Sequence, residues 1–274
     1  MSTHTQRPAI ISDVRTESEF PLETERRLNE VHGGAPIEAH LDILFQDARV
    51  AGLAFLPLFR RCLEQTGTVL TPFNVFQRFQ SRLSLLQYFL STLAVPGARA
   101  ECGVYRGATA LLLAQVWRSA QQAFRGEDFY LIDSFAGASR SGAADLIAVR
   151  DDAQNVRMEA FFPPGRTDTS AALVRGFFHE FPQTEFCTGW IPQVFSTLPE
   201  RTWAFVHLDA TLYEPTLATL EYFYPRLNRG GVIVCDDYGS IFCPGSQKAW
   251  DEYCSRHGIA FIVLANRQSI ILKT

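Results

Sequence analysis

Apolar residues cluster along the chain in short runs that alternate with stretches of helical spacing. Two such runs, residues 203–208 and 231–235, are bounded by turn residues, which is typical of buried parallel strands. Each run ends in carboxylates: Asp209 follows the first, and Asp236 and Asp237 follow the second. Because parallel strands present their carboxyl ends at one rim of a sheet, we expect these carboxylates to meet where α/β sheets bind ligands.

The remaining pattern predicts alternating strands and helices. Further strands are predicted at residues 98–103, 129–133, 185–188, 260–265 and 269–273, the last two as a hairpin with its turn at 266–268. Helices are predicted at residues 108–120, 170–181, 216–227 and 247–257. Residues 134–168 are rich in Gly, Ala and Ser and are expected to form a long connection. The order specifies an α/β fold with a doubly wound, mostly parallel sheet and an antiparallel C-terminal strand.

The chain divides into three parts on this pattern. Residues 1–36 are polar and are expected to form a flexible arm. Residues 37–95 carry helical apolar spacing, with Pro57 expected to kink or divide the segment and a second helix starting near Pro72. Residues 96–274 hold the alternating strands and helices and form the sheet domain.

Composition narrows the class of protein. The 274 residues include 47% hydrophobic and 20% charged residues, as in a folded globular protein. Lys and Arg number 25 against 29 Asp and Glu, a net charge of −4 that gives no electrostatic support for nucleic-acid binding. The sequence contains no run of 18 apolar residues, so no membrane-spanning helix is expected. The N-terminus lacks the apolar core of a signal peptide. Six scattered cysteines without a CxxC pair favour reduced thiols, so we expect a cytoplasmic protein.

Three converging carboxylates repel one another and need a divalent cation or a proton to coexist. Oxygen-only ligands suit Mg²⁺, Mn²⁺ or Ca²⁺ better than Zn²⁺. The alternative is structural: Asp237 caps a helix or turn, and Asp236 pairs with an arginine.

A glycine loop lies between the first strand and the first helix of the sheet domain. Gly103 and Gly107 are separated by three residues, which differs from the Gly-x-Gly-x-x-Gly dinucleotide pattern. Glu101, at the strand end, disfavours a pyrophosphate and suits an amine-bearing ligand. Asp133 ends the next strand, where a carboxylate can accept hydrogen bonds from both ribose hydroxyls. A nucleoside without phosphates, such as S-adenosylmethionine (SAM), fits this combination, although glycines required only for packing are the alternative.

Five segments then occur in order: residues 100–110, 131–137, 188–190, 207–216 and 230–239. Together they resemble the TylF/MycF family of macrolide and sugar O-methyltransferases, from about residue 71 to the C-terminus. The resemblance implies a Rossmann-like class I methyltransferase fold with SAM and a divalent metal, usually Mg²⁺. It also implies that the N-terminal helices form a lid over a small-molecule acceptor and that the protein forms homo-oligomers.

The resemblance assigns residues to both halves of the site. It implies that Glu101, Gly103 and Gly107 shape the SAM pocket, that Asp133 and Ser134 hold the ribose, and that Asp209, Asp236 and Asp237 hold the metal. Tyr105 and Arg106, in the glycine loop, complete the candidate cofactor-binding set. Arg106 could reach the SAM carboxylate or pair with a surface acid.

One position departs from the family. The family usually reads Asp-x-Asp-x-Tyr, with the second Asp proposed as the general base, and here that position is Thr211. A threonine hydroxyl is a poor base at neutral pH. Activation by the metal alone, a base role for His207 or Glu214, and an altered substrate or weak activity remain open. The alternative for His207 is a place in the core or a role in supporting the metal ligands, with no direct part in catalysis.

The favoured function is transfer of the sulfonium methyl group to a hydroxyl oxygen, with Asp209, Thr211 and His207 as candidate catalytic residues. A vicinal diol or a catechol would chelate the metal. Two alternatives are a nucleotide-dependent reductase, which the absent dinucleotide pattern opposes, and a SAM-binding pseudo-enzyme, which Thr211 suggests.

Overall fold

A computed structural model of the protein describes residues 10–12, 55–70, 72–150 and 155–274. Its helices are α1 Phe55–Thr66, α2 Pro72–Ser91, α3 Ala108–Ala120, α4 Ala171–Phe177, α5 Tyr213–Phe223 and α6 Pro244–His257. Its strands are β1 Ile10–Ser12, β2 Ala98–Cys102, β3 Phe129–Asp133, β4 Leu146–Arg150, β5 Val156–Ala160, β6 Glu185–Thr188, β7 Trp203–Leu208, β8 Leu227–Cys235, β9 Ile262–Val263 and β10 Ser269–Leu272. Short 3₁₀ turns lie at Ala143–Asp145, Gln193–Thr197 and Tyr224–Arg226.

Seven strands form the main sheet, in the order β6-β3-β2-β7-β8-β10-β9. The first five are parallel, and β10 pairs antiparallel with β8 and with β9. This arrangement confirms the predicted mostly parallel α/β sheet with antiparallel C-terminal strands. The parallel order also confirms that the carboxyl ends of β2, β3, β7 and β8 meet at one rim.

The two faces of this sheet carry separate apolar clusters. Phe205, Val232 and Val234 face one cluster, which packs against α1, α2 and α3 through residues such as Phe89 and Leu111. The opposite cluster packs against α5 and α6 and includes Val206, Ile233, Leu220 and Trp250. Alternate residues of each strand therefore belong to different clusters, as the period of two in a strand requires. Helix α2 thus lies on the face that also carries His207, two residues after Phe205.

Several predicted boundaries were wrong. Helix α5 begins at Tyr213 and ends at Phe223, earlier than the predicted 216–227, because residues from Leu227 onward pair with β7. Strand β8 begins at Leu227, earlier than the predicted residue 231, and its pairing with β7 shifts register in an irregularity between Leu227 and Val232. Helix α4 is shorter than predicted and starts after Ser170, whose hydroxyl accepts a hydrogen bond from the amide of Leu173.

The connection at 134–168 was also predicted incompletely. It contains β4 and β5, which pair antiparallel, and β1 pairs in parallel with β4 to complete a three-stranded sheet. The rest of the predicted arm at 1–36, the helical pattern up to residue 54, and residues 151–154 of the predicted connection lie outside the described residues. Within the described ranges, no helix has both the length and the hydropathy required to cross a membrane.

Candidate active site

The carboxyl ends of the parallel strands open into a cavity of about 300 Å³. The predicted site residues that line it are Glu101, Gly103, Tyr105, Arg106, Asp133, Ser134, Asp209, Thr211 and Asp237. Helices α1 and α2 supply part of another wall, which includes Phe59, Arg78 and Arg82. Asp236 and His207 are buried next to it. The structure therefore brings the candidate cofactor residues other than Gly107 into one space with Asp209 and Asp237.

The two loop glycines are required by close approaches. Gly103 has a φ of +88°, and a Cβ there would lie 2.0 Å from the carbonyl oxygen of Asp209. Gly107 has a φ of +81° at the start of α3, where a Cβ would lie 2.8 Å from Val174 Cγ1. Any larger residue would be strained in this region of φ and would collide with these neighbours. Gly103 thus allows the loop to pass directly against Asp209 at the end of β7, and Gly107 allows the start of α3 to approach Val174 of α4.

Asp133 holds the same loop from the neighbouring strand. Its Oδ2 accepts hydrogen bonds from the amides of Val104 at 2.6 Å and Tyr105 at 2.9 Å. Its Oδ1 accepts one from the amide of Phe135 at 2.7 Å. The carboxylate therefore fixes the loop, in addition to any bond with a ligand. Since a carboxylate oxygen can accept two bonds, Oδ1 retains acceptor capacity toward the cavity.

The other cofactor candidates are held by local contacts. Arg106 donates from Nε to the carbonyl oxygen of Thr66 at 2.7 Å, and so joins the loop to the end of α1. Among the described residues, Arg106 forms no hydrogen bond with a surface acid, the alternative partner that the sequence suggested. Ser134 donates to the carbonyl oxygen of Gly137 and accepts from the amide of Ala136, both at 3.1 Å. These contacts order the loop edge that faces the cavity.

Glu101 and His207 form a buried pair beneath the cavity floor. They lie opposite each other in the parallel pairing of β2 with β7, and His207 Nδ1 is 2.9 Å from Glu101 Oε1. Burial raises the pKa of Glu101, and His207 opposes that rise. Glu101 Oε2 has no hydrogen-bond partner among the described residues. Glu101 therefore offers one free acceptor atom at the end of β2.

His207 also lies close to the carboxylate rim. Its Nε2 is 3.7 Å from Asp236 Oδ1, too long for a hydrogen bond but short enough for a strong electrostatic contact. Burial alone lowers its pKa, but Asp236 and Glu101 outweigh burial and raise it to about 9. A fully buried and protonated imidazole cannot reach an acceptor hydroxyl to take its proton. The geometry favours a role in supporting the carboxylates over the predicted role as a base.

Asp236 is surrounded by cationic and amide donors. Arg78 Nη1 lies 2.7 Å from Oδ2, and Arg82 Nη1 and Gln268 Nε2 each lie 2.7 Å from Oδ1. Burial opposes ionisation, yet Arg82, His207 and Arg78 hold the pKa of Asp236 well below its usual range. The pairing with arginine that the sequence offered as an alternative to metal binding is therefore present at Asp236.

Asp209 and Asp237 are less satisfied. Asp209 Oδ2 has a long contact of 3.5 Å with Arg82 Nη2. Asp237 Oδ2 is buried without a hydrogen-bond partner in the described part of the chain. Burial, together with Asp209 and Asp236, raises the pKa of Asp237 well above its usual range. Because a buried acceptor without a partner is costly, the pair Asp209–Asp237 fits an added cation better than Asp236 does.

The candidate metal cluster differs in part from the predicted one. Potential ligand atoms of His207, Asp209 and Asp236 all lie within 4.8 Å of one another. His207 is a poor ligand here because Glu101 and Asp236 favour its protonated form. Asp209 and Asp237 both line the cavity, and Oδ2 of Asp237 has no hydrogen-bond partner among the described residues.

Thr211 lies in the cavity wall in an unusual backbone conformation. Its φ is +66°, a left-handed value that is rare for a β-branched residue. Asp and Asn adopt this conformation far more readily, so the family's carboxylate would fit this backbone with less strain. Glu214, the other base candidate, lines an adjoining groove with Trp190 and Arg140, outside the main cavity.

Four residues that shape the site are absent from the predicted set. Arg78 and Arg82 are four apart on α2, and this spacing places them on one helix face, a signal that could have been used. Gln268 lies in the predicted hairpin turn. Asp145 lies in the 134–168 connection and accepts the amide of Tyr213 at 2.7 Å, which fixes the start of α5 next to Thr211.

The strand order defines the class of protein. Numbered within the main sheet in chain order, the strands run 3-2-1-4-5-7-6. This is the class I methyltransferase arrangement, with a glycine loop after the first strand and an acidic residue ending the second.

Comparisons with known proteins agree with this class of protein. The model of the macrocin-O-methyltransferase (TylF) family matches residues 78–264. The chain is 31% identical to a demethyldecarbamoylnovobiocin O-methyltransferase of Streptomyces niveus over 170 residues, 61% of each chain. It is 31% identical to the 8-demethyl-8-(2,3-dimethoxy-alpha-L-rhamnosyl)-tetracenomycin-C 4'-O-methyltransferase of Streptomyces olivaceus over 186 residues, 65% of this chain and 67% of that protein. The solved structure of the O-methyltransferase NovP aligns at 25% identity with a TM-score of 0.58, over 72% of this chain and 80% of that one. The chain therefore belongs to the macrocin-O-methyltransferase family of methyltransferases.

Proposed function

We propose that the protein transfers the methyl group of SAM to a hydroxyl of a small, polyhydroxylated, sugar-like acceptor with the help of a divalent metal ion. The observation that carries this proposal is the shared cavity, because it is lined both by Glu101 and Asp133, called the cofactor end here, and by Asp209 and Asp237, called the carboxylate end. Family membership favours methyl transfer over the nucleotide-dependent reductase. The rhamnosyl group in the name of the Streptomyces olivaceus relative supports a sugar hydroxyl as the acceptor.

The cofactor end offers matching groups for SAM. The free Oε2 of Glu101 suits the ammonium group of the methionine part. Asp133 Oδ1 can accept a ribose hydroxyl while Oδ2 continues to hold the loop. Arg106 has donors beyond its bond to Thr66 with which it can bind the carboxylate of SAM. These assignments orient the sulfonium group toward the carboxylate end of the cavity.

The carboxylate end fits a hard divalent cation through Asp209 and Asp237. Their oxygens suit Mg²⁺, and the unpartnered Oδ2 of Asp237 would gain a partner. When bound, such an ion acts as a Lewis acid and lowers the pKa of the acceptor hydroxyl. Arg78, Arg82 and Gln268 hold Asp236, which keeps this carboxylate in a fixed position beside the pair.

In the reaction, the acceptor oxygen attacks the methyl carbon in line as the bond from that carbon to sulfur breaks, which leaves S-adenosylhomocysteine. The hydroxyl proton passes to a carboxylate, and Asp209 is the candidate because its side chain is 23% exposed to the cavity. Thr211 can hydrogen-bond to the acceptor but cannot take the proton at neutral pH. The main contribution of the protein is orientation, which can supply up to about 7–11 kcal/mol.

An acceptor screen tests the proposal. Sugars and glycosides with vicinal diols, together with catechols, would be incubated with SAM carrying a labelled methyl group, with Mg²⁺ or with a chelator. We expect labelled product from a diol that depends on Mg²⁺ and is lost in Asp209→Asn. SAM binding by calorimetry without product from any acceptor would instead support the pseudo-enzyme. Full activity after chelation would remove the metal from the proposal.

A further inference from the structure

The two carboxylate oxygens of Asp236 have different surroundings. Oδ1 accepts hydrogen bonds from Arg82 Nη1 and Gln268 Nε2, both at 2.7 Å. These two bonds occupy the acceptor capacity of one carboxylate oxygen. Oδ2 accepts only from Arg78 Nη1, at 2.7 Å, among the residues that the structure describes. Oδ2 is therefore the only oxygen of Asp236 that a cation could reach by displacing a single partner.

The two arginines differ in their freedom to move. The side chain of Arg82 is 7% exposed and contacts both Asp236 and Asp209. The side chain of Arg78 is 39% exposed, lines the cavity and makes one ion pair with Asp236. Arg82 is therefore a fixed part of the site. Arg78 can turn toward solvent, where its own guanidinium would be hydrated, and the buried Oδ2 of Asp236 would then need a new partner such as a cation.

We propose that the Arg78 guanidinium and a divalent cation compete for Oδ2 of Asp236, so that Arg78 controls access of the metal to the carboxylates. This inference rests on the metal site of the proposed function. A guanidinium at 2.7 Å occupies the approach to Oδ2 and repels a second cation brought to the same oxygen. The ion must displace Arg78 before Asp236 can join Asp209 and Asp237 as a ligand, and this displacement weakens the observed metal affinity.

Metal binding can be measured without methyl transfer. Mn²⁺ would be titrated into the full-length protein, and free Mn²⁺ would be followed by its electron paramagnetic resonance signal at fixed pH and ionic strength. Arg78→Gln removes the competing charge, and we expect it to tighten Mn²⁺ binding by about tenfold or more. Arg60→Gln is the matched control, because Arg60 forms an exposed pair with Glu64 and also carries one positive charge.

A second pair of variants separates competition at Asp236 from a general charge effect. In an Asp236→Asn background the shared carboxylate is gone, so adding Arg78→Gln should change the Mn²⁺ affinity no more than Arg60→Gln does. Unchanged or weaker binding in the single variant Arg78→Gln would overturn the competition, and so would an equal gain in both backgrounds.

Failure of this inference can be distinguished from failure of the proposed function. If none of these proteins, wild type included, binds Mn²⁺, the competition is refuted. The methyl-transfer proposal is then decided separately by the labelled product in the acceptor screen.

Discussion

The two ends of the cavity hold their carboxylates by different means. At the cofactor end, Asp133 is bound by backbone amides of the adjacent loop and of its own turn. At the rim, Asp236 is bound by the side chains of Arg78 and Arg82, 158 and 154 positions away in the chain, and by Gln268. One end is organised by backbone geometry and the other by side chains from distant elements.

This difference determines which substitutions can alter each end of the cavity. Backbone amides persist whatever side chains the loop carries, so the anchoring of the loop depends on its glycines and on Asp133. The rim depends on the identities of individual side chains on α2 and in the C-terminal hairpin. A single substitution on α2 can therefore alter the charge balance at the rim while it leaves the cofactor loop intact.

The largest expected effect is on the rim. Arg82→Met removes the buried partner of Asp236 and should lower the free energy of unfolding by about 3–5 kcal/mol, because a buried charge loses its partner. Urea unfolding followed by circular dichroism measures the loss. Arg60→Met, which breaks only the exposed pair with Glu64, should cost no more than about 0.5 kcal/mol. A similar small loss in both variants would show that the rim does not depend on Arg82.

At the cofactor end we expect a loss of ligand affinity. Asp133→Ala removes the loop anchor and a ribose acceptor together and should weaken SAM binding by about 2–4 kcal/mol, measured by calorimetry. Asp133→Asn is the matched variant, since its one remaining carbonyl oxygen can keep part of these bonds. We expect its affinity to lie between those of Ala and wild type. Equal SAM affinity in all three proteins would contradict a cofactor role for this end.

The same contrast explains what the sequence could predict. Asp133 and the glycines lie within one strand–helix–strand unit, from β2 through α3 to β3, so the parallel pairing of its two strands predicted that they would meet. Asp209, Asp236 and Asp237 were placed together correctly, since the parallel order fixes which strand ends share a rim. Their partners could not be placed in the same way, because the packing of α2 against the sheet depends on apolar contacts such as that of Phe89 with Phe205.

None of the three strands of the small sheet was predicted: β1 lies in the predicted arm, and β4 and β5 lie in the predicted connection. The apolar segment 146–150 is short and follows a Gly- and Ala-rich stretch, so the composition suggested a loop. In the structure its residues pair with β5 and are largely buried. Pairing with a neighbouring strand, rather than intrinsic preference, thus decides the conformation of this segment.

His207 contacts both Glu101 and Asp236, and its contribution to the free energy of unfolding should depend on pH. Its pKa is raised from an ordinary value of 6.5 to about 9, so the folded state binds the proton more tightly than the unfolded state. The resulting stability is fully present below about pH 6.5 and is lost as the pH rises through about 9, with a maximum near 3 kcal/mol.

The His207→Gln variant isolates that contribution. The difference in unfolding free energy between wild type and His207→Gln should shrink between pH 6.5 and 9. Buried cysteines with raised pKa values make both proteins less stable at high pH, and this contribution cancels in the difference between them. A difference that stays constant over this range would show that His207 is not charged in the folded protein.

The smallest expected effect concerns the backbone at Thr211. A β-branched residue at a φ of +66° is strained, and left-handed conformations of non-glycine residues cost about 1–3 kcal/mol. Thr211→Asn should recover about 1 kcal/mol, because Asn tolerates this conformation, and should raise the melting temperature by about 2–4 °C. Thr211→Val is the matched control, since it keeps the branched side chain and should gain nothing. Asn is preferable to Asp for this measurement, because a further carboxylate beside Asp209 and Asp237 would add repulsion that masks the relief of strain. A gain in Val equal to that in Asn would trace the effect to loss of the hydroxyl and remove strain as its cause.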